Sequence, residues 1–381
     1  MTLFELYNRS NVSYYKIEYD VNDLFSFYEA EDNCRYFLSR HYTKGKKLGL
    51  LESDLYEKYQ EKGKHVHSTS LFLLGKELLP CFKEEIDTTL KKFLPHYNDW
   101  HDHGHDFLHI WFLTAMYHDY ASCVEFATIQ SNDSERHRAL AFHLGNHNIH
   151  YSIYGDYPYK TQNVPIRFSK ELIENYFYYR ACSGACEHGI IAGNLFFDRF
   201  VKTFLKATEG EKFDKRGNWS DGTGNWNTDM IMYSAYIADA IICHNIWLGG
   251  LSEVETYKSY GLTPLLWEVH PENKLSIREY PLQFMLCLLD TIEPTKRFTE
   301  MHPFDVLNEI SLEELKDSKG FCIKWNGFLE TDDGSNGNDF KRWYTGIKNM
   351  PEWMDVICKV KYHSIEIRWD EERKNYGNPD F

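Results

Sequence analysis

The fold is decided at residues 107–117, which read Phe-Leu-His-Ile-Trp-Phe-Leu-Thr-Ala-Met-Tyr and are followed directly by His118-Asp119. This run is long enough for about three helical turns and carries no Asp, Glu, Lys or Arg, so it predicts a buried helix. A histidine and an aspartate at the end of such a helix place an imidazole nitrogen beside a carboxylate, and this combination binds divalent metals. The dipeptide is therefore a candidate metal-binding element, and its weight depends on whether other ligands accompany it.

The composition predicts a folded chain with a large core. Of 381 residues, 43% are hydrophobic and 16% aromatic, which suits one large domain or two of ordinary size. The net charge of -15 argues against general nucleic-acid binding, because such proteins present a basic face. A small anionic substrate remains compatible with this charge, since metals and nearby lysine or arginine side chains can outweigh a distant acidic surface.

The cysteines and the N-terminus predict a cytoplasmic protein. The nine cysteines are scattered, mostly in apolar stretches, as is usual for reduced thiols. The first residues lack the layout of a signal peptide. The stretch Met230–Leu251 is apolar enough to mimic a membrane span, but Asp239 and His244 within it would be costly in lipid. We interpret it as a buried helix and expect no membrane interaction.

Apolar residues recur mainly at helical spacing, so the chain is predicted to be mainly α. The predicted helices lie near residues 17–31, 48–62, 66–96, 105–122, 134–146, 168–180, 187–206, 227–248, 280–290 and 303–317. Near the end the pattern changes to the alternation of strands at 321–325 and 365–369, with a helix around 338–356 between them. We therefore predict a helical domain over residues 1–305 and a small α+β appendage over 306–381.

Four further residues have the chemistry and context of metal ligands. His67 lies in the first turns of a predicted helix, and His188 begins another, in which Gly189 and Gly193 permit close backbone approach. His244 and Asp290 each end an apolar helical run. Any one of these residues alone is more often a structural residue than a ligand. Together with His118-Asp119 they form an ordered candidate set.

Other histidines compete for these roles. His65 is an alternative to His67, but the apolar helical pattern begins after His67 and favours it. The loop His101–His109 is the segment densest in histidine. It has neither the residue order nor the preceding strand of metallo-β-lactamase-like hydrolases, so we interpret it as a polar loop before the helix. His105 remains a minor candidate at the edge of the site.

The order His…His-Asp…His…His…Asp resembles that of the HD superfamily of metal-dependent phosphohydrolases. The local likeness is greatest to the bacterial symmetrical dinucleoside tetraphosphate hydrolases. It rests on His-Asp-Tyr-Ala at 118–121, His-Gly at 188–189 and the run Asp290-x-Ile-Glu-Pro-x-x-Arg297. The resemblance spans roughly residues 65–300. Ser122 departs from that group, which has a lysine at this position.

The resemblance implies an HD-type helical bundle and a centre of two divalent transition metals, of which Fe, Mn, Co, Ni and Zn are not distinguished. It assigns His67, His118, Asp119 and Asp290 to one metal, and His188 and His244 to the second, with Asp119 as the bridge. It further implies that a metal-bound hydroxide cleaves a phosphoester or phosphoanhydride of a nucleotide-like substrate.

Lys296 and Arg297 are candidate phosphate-binding residues beyond Asp290. A helix continued through this stretch would return Arg297 to the ligand face after about two turns. Pro294 interrupts it, however, and predicts a kink or a new helix start. A solvated arginine is an equally good interpretation of Arg297.

Two other functional interpretations remain. The first is a catalytically idle HD module that senses a nucleotide or binds a partner. The second keeps the enzyme class but changes the substrate to a cyclic dinucleotide or an alarmone, for which the sequence offers less support. The sequence leaves the oligomeric state open.

Overall fold

The computed structural model describes residues 2–5, 64–93, 106–122, 138–155, 164–184, 187–208, 219–220, 225–226, 228–298, 301, 303–315, 319–330 and 335–369. The described part is mostly helical, which confirms the mainly α prediction. Its helices are α1 Lys64–Leu78, α2 Lys83–Phe93, α3 Asp106–Tyr117, α4 Ala139–Asn146, α5 Lys170–Cys182, α6 His188–Thr208, α7 Thr228–Cys243, α8 Val254–Ser259, α9 Pro281–Ile292, α10 Pro303–Glu309, α11 Ser335–Lys348 and α12 Met350–Trp353. The predicted helices at 17–31 and 48–62 lie outside the described residues.

Five helices pack against one another at the centre of the molecule. Helix α3 contacts α1, α6, α7 and α9, and α7 also packs along α6 and α9. The approach of α1 to α3 is close because Gly75 has no side chain: a Cβ there would lie 2.3 Å from the Trp111 ring. The Trp111 indole N–H donates to the Phe72 carbonyl at 3.0 Å, so this buried contact is also hydrogen-bonded.

The helix predicted at 66–96 is in fact two helices. The break falls at Leu79–Cys81, a single 3₁₀ turn that contains Pro80. Proline has no backbone N–H and its ring collides with the preceding helical turn, so α1 ends there and α2 begins at Lys83. The apolar periodicity continues across the break, which explains why the pattern alone predicted one helix.

The C-terminal region contains a four-stranded antiparallel sheet in the order β3-β4-β6-β5. Its strands are β3 Ile310–Glu314, β4 Gly320–Trp325, β5 Ile357–Lys361 and β6 Ser364–Arg368; two short strands, β1 Trp219–Ser220 and β2 Asn225–Trp226, pair separately. Strands β4 and β6 confirm the alternating patterns. The predicted helix at 303–317 is wrong in its second half, where α10 ends at Glu309 and β3 begins.

The strand β3 forms because its pairing partner lies elsewhere in the chain. Ile310 and Leu312 are buried while Glu313 and Glu314 are exposed, and Ile310 pairs with Trp325 of β4. Two apolar positions two residues apart fit a strand, but they also extend the helical pattern of α10. Tertiary pairing therefore decided between the two conformations.

Buried tryptophans join this sheet region to the helices. The Trp369 ring stacks on Phe82, the residue before α2, at 5.1 Å between centroids and meets Phe284 of α9 edge-on at 6.1 Å. The Trp343 indole N–H of α11 donates to the carbonyl of Ile292 at 3.0 Å, where α9 ends. The C-terminal region thus supports the end of α9. The boundary between residues 305 and 306 remains a prediction.

The apolar stretch Met230–Leu251 does not form one long helix, because α7 ends at Cys243. Within the part of the chain that the structure describes, no helix has both the length and the apolar character needed to span a membrane.

Candidate metal centre

The six predicted ligands come from the ends of five packed helices. His67 lies in the first turns of α1, and His188 is the first residue of α6. Three positions lie at helix C-terminal ends: His118-Asp119 directly after α3, His244 directly after α7, and Asp290 in the last turn of α9. Because these helices share one core, their ends meet at one place. The structure brings all six side chains into one cluster.

The first half of the cluster is formed by His67, His118, Asp119 and Asp290. The Nε2 atoms of His67 and His118 are 3.2 Å apart. The Asp290 Oδ1 atom lies 2.9 Å from the His67 Nε2 and 3.6 Å from the His118 Nε2. The Asp119 Oδ2 atom lies 3.9 Å and 3.6 Å from the same two nitrogens. Both histidines are fully buried.

The second half is formed by Asp119, His188 and His244, whose ligand atoms lie within 4.8 Å of one another. Here the other carboxylate oxygen is used: Asp119 Oδ1 lies 3.0 Å from the His188 Nε2. The rings of His188 and His244 are 5.3 Å apart between centroids. Asp119 therefore presents one oxygen to each half, so this cluster could hold a metal ion in either half.

Backbone hydrogen bonds set the orientation of two of the histidines. The Nδ1 atoms of His118 and His244 each lie 2.7 Å from the carbonyl oxygen three residues earlier, Ala115 and Ile241 respectively. A carbonyl can only accept, so each Nδ1 carries a proton, and the lone pair of such a ring in its neutral form lies on Nε2. Burial and the neighbouring His118 and His188 lower the pKa of His244 to about 3, which keeps this imidazole neutral at pH 7.

The charges around Asp290 favour its ionised form. Burial opposes ionisation, but Lys296, His118 and His67 outweigh it and hold the pKa of Asp290 well below its ordinary value. Burial and Lys296 lower the pKa of His67, yet the hydrogen bonds to Glu293 and Asp290 leave it raised above 6.5. The cluster therefore attracts positive charge, whether as a proton or as a metal cation.

Glycine allows the helix ends to approach. A Cβ on Gly189 would lie 2.9 Å from the His244 ring, and one on Gly193 would lie 2.6 Å from the carbonyl oxygen of Ala238. Contacts this short exclude any larger residue without movement of α6 against α7. The predicted close backbone approach at both glycines is confirmed.

The two predicted phosphate-binding residues, Lys296 and Arg297, have different surroundings. Helix α9 ends at Ile292, and the residue before Pro294, Glu293, is extended with ψ 117, as proline requires of its predecessor. The helix therefore does not continue to Arg297. A turn instead brings the Lys296 ammonium into an ion pair with Asp290 Oδ1. Arg297 is half-buried, and no hydrogen bond joins its guanidinium to another described residue.

Two of the alternatives concern side chains that are not described. The side chain of His65 and residues 101–105, including His105, lie outside the described residues, whereas residues 106–109 of the predicted loop form the first turn of α3, with Phe107 buried. The cluster itself contains His67.

Sequence reasoning missed two buried glutamates behind the cluster. Glu293 accepts a hydrogen bond from the His67 Nδ1 at 2.6 Å. Glu187, the residue before His188, accepts one from the Asn245 amide at 2.6 Å. The only sequence signals were that Glu187 directly precedes His188 and that Glu293 lies three residues after Asp290, and a glutamate in a short polar segment is usually exposed.

A cavity of about 470 Å³ lies apart from the cluster and is lined by none of its six residues. Its charges are mixed, because Arg167 and Lys274 share the lining with Glu171, Glu272 and Glu279. The Arg167 guanidinium is already engaged, stacked over Phe168 at 4.5 Å. The cavity therefore offers no clear preference for a charged ligand.

The fold and the site define a mainly helical protein whose buried His/Asp cluster could hold a metal ion. Comparisons of the chain with models of protein families, with curated proteins and with solved structures found no match.

Proposed function

We propose that this protein is an HD-type phosphohydrolase that uses two divalent transition metals to cleave a phosphoester or phosphoanhydride of a nucleotide-like substrate. The observation that carries the proposal is the Asp119 carboxylate, which faces His67 and His118 through Oδ2 and His188 through Oδ1. A carboxylate that serves two groups of nitrogen ligands suits a bridged pair of metals. The proposed reaction, hydrolysis of a phosphate ester or anhydride, is taken from the resemblance to the HD ligand order.

The donor set fits such metals. Imidazole nitrogens and carboxylate oxygens suit Fe, Mn, Co, Ni or Zn, and the hydrogen bonds at Nδ1 of His118 and His244 leave their Nε2 lone pairs to coordinate. When bound, two such cations would lower the pKa of a shared water and neutralise charge on the phosphoryl oxygens.

The protein's own groups would position the phosphate. The Lys296 side chain is 16% exposed and lies beside Asp290, so its ammonium is a cation at the edge of the cluster. Lysine acts as a mobile point charge toward phosphate, and we assign it that role here. Arg297, which makes no hydrogen bond to a described side chain, is the second candidate. Asp119 would hold the cluster together as the shared ligand.

The proposal is tested by metal stoichiometry together with turnover. Purified protein is analysed for metal and assayed with nucleoside triphosphates, dinucleoside tetraphosphates and bis-p-nitrophenyl phosphate. We expect two metals per chain and hydrolysis of at least one substrate. His67→Ala and His188→Ala should each lose one metal and Asp119→Ala both, with turnover reduced at least about 100-fold, the scale of removing a transition-state charge stabiliser.

The matched control is His270→Ala, which removes a partly exposed histidine paired with Glu272. It should keep both metals and full activity. Folded Asp119→Ala protein that retains bound metal and full activity would contradict the proposal. Bound metal without turnover on any substrate would favour the sensor instead.

A further inference from the structure

The four histidines of the cluster obtain their orientation in two different ways. His118 and His244 follow the C-terminal ends of α3 and α7, where the last carbonyls of a helix lack intrahelical partners. Each ring uses such a carbonyl, three residues back, to hold its Nδ1 proton. His67 and His188 lie instead at helix N-terminal ends, where the unpaired backbone groups are N–H donors. A histidine there needs an acceptor from elsewhere.

Glu293 supplies that acceptor for His67. Its carboxylate is fully buried, and its Oε2 atom lies 2.6 Å from the His67 Nδ1. Its other partners are also donors: Ser70 Oγ–H at 2.6 Å, and the N–H and Oγ–H of Thr295 at 3.1 and 2.8 Å. A buried carboxylate is costly unless it is hydrogen-bonded in this way. These donors fix the Glu293 carboxylate, which in turn fixes the His67 ring.

Glu187 lies at the corresponding place behind His188. It is fully buried and precedes the first residue of α6, and its carbonyl accepts from Ile191 N–H at 3.3 Å as the helix begins. Its Oε1 atom is 4.0 Å from the His188 Nδ1, too long for a hydrogen bond but close enough for electrostatic attraction. The Arg180 guanidinium donates to its Oε2 at 3.1 Å.

Glu187 also connects the two histidines of its half. The Asn245 amide donates to Glu187 Oε1 at 2.6 Å, and Asn245 directly follows His244. One carboxylate therefore joins the start of α6, which carries His188, to the end of α7, which carries His244. Loss of this carboxylate would therefore disturb the second half of the cluster more than the first.

We infer that Glu293 and Glu187 are positioning residues, one for each half of the centre: Glu293 accepts from the His67 ring, and Glu187 ties the start of α6 to Asn245, the residue after His244. This inference rests on the proposed metal centre. Carboxylates behind ligating histidines fix the ring and its tautomer, and their loss usually weakens metal binding about 10–100-fold. A purely structural glutamate would affect folding but not the affinity of one particular metal.

The test is a titration of metal-depleted protein with Mn²⁺ and, separately, Zn²⁺, followed by calorimetry. We expect Glu293→Gln to weaken one of two sites about 10–100-fold and Glu187→Gln to weaken the other, each leaving its companion site unchanged. The control is Asp198→Asn, which removes a buried carboxylate that binds His150 and Tyr151 backbone N–H groups and touches no ligand. It should bind both metals as the wild type does.

If Glu293→Gln fails to fold, Glu293→Asp is tested in its place, because the shorter side chain keeps the charge but moves it away from His67. We expect this variant to weaken the same metal site, by less than is expected for Glu293→Gln. Wild-type affinity in folded Gln variants would overturn the inference, as would equal loss of both sites in each variant, while the proposed function would stand. A wild-type protein that binds neither metal would overturn the proposed function itself.

Discussion

At the scale of single residues, Asp239 is a buried carboxyl group in the C-terminal half of the apolar helix α7. Its oxygens accept from the Arg167 backbone N–H at 3.3 and 3.4 Å, and the Cys243 thiol donates to it. Burial raises the pKa of Asp239 from 3.8 to about 7, against the lowering effect of Arg167. The folded protein therefore binds this proton more tightly than the unfolded chain does.

This difference predicts a pH dependence of stability. Because its folded-state pKa is raised, Asp239 contributes most to stability below about pH 4, and this contribution is lost as pH rises through about 7. Asp239→Asn, which cannot ionise, should lack this loss. The difference in unfolding free energy between the two proteins should change by up to about 4 kcal/mol between pH 4 and pH 8. Urea unfolding across this range measures it, and parallel curves would contradict it.

The candidate ligands were predictable from the sequence, but the residues that orient them were not. His118-Asp119 stands out because a polar pair ends a strongly apolar helix, and the other four ligands repeat this kind of context. Glu293 and Glu187 are buried only because the helix ends converge around them. Burial that arises where helix ends meet leaves no pattern in the local sequence. The roles of Glu293 and Glu187 could therefore be recognised only in the tertiary structure.

At the scale of elements, the spacing between α6 and α7 is set by glycine. A Cβ on Gly193 would lie 2.6 Å from both the Ala238 carbonyl oxygen and the Ile242 Cγ1 atom. Backbone on the opposite helix cannot move aside without shifting the whole helix. Since His188 begins α6 and His244 directly follows α7, their separation depends on this contact.

Gly193→Ala is therefore expected to destabilise the protein by about 1–3 kcal/mol despite the better helix propensity of alanine. Gly145→Ala in α4 is the matched control, because nothing lies within 4 Å of a Cβ there. It should stabilise by roughly 0.5–1 kcal/mol. Thermal unfolding of both variants measures the contrast, and a stabilised Gly193→Ala protein would refute the tight contact.

Element boundaries show where periodicity is insufficient. It located α3, α6 and α9 because each has an apolar face long enough to define a helical period. It missed the break at Pro80 and the change from α10 to β3 at Ile310. Short segments carry too few apolar positions to distinguish the helical period from the strand period. At Ile310–Glu314 the pairing with β4 therefore determined the strand conformation.

At the scale of the whole molecule, the sheet region and the helices share one hydrophobic core. Trp369 follows β6 and is 2% exposed, packed between Phe82 just before α2, Phe284 of α9 and Phe321 of β4. This contact ties the C-terminal region to the helix that carries Asp290. Loss of this contact should destabilise the helices as well as the sheet.

Trp369→Ala is expected to lower the unfolding free energy by about 3–5 kcal/mol, because the large cavity cannot be refilled. Unfolding should remain a single transition seen equally by far-ultraviolet circular dichroism and by tryptophan fluorescence. Tyr362→Ala is the control, since that side chain is 89% exposed in the turn between β5 and β6 and should change stability by less than about 0.5 kcal/mol. Separate transitions for sheet and helices would show that the two regions unfold independently.

The sequence by itself determined the helical class, the strands β4 and β6, and the identity of the six candidate ligands, because periodicity and residue chemistry are local properties. Only the tertiary structure decided which Asp119 oxygen faces each histidine group, that Lys296 rather than Arg297 pairs with Asp290, and that Glu293 and Glu187 lie behind the rings. These are contacts between helix ends far apart in the chain. Their distances depend on how the helices pack, and no stretch of sequence records that packing.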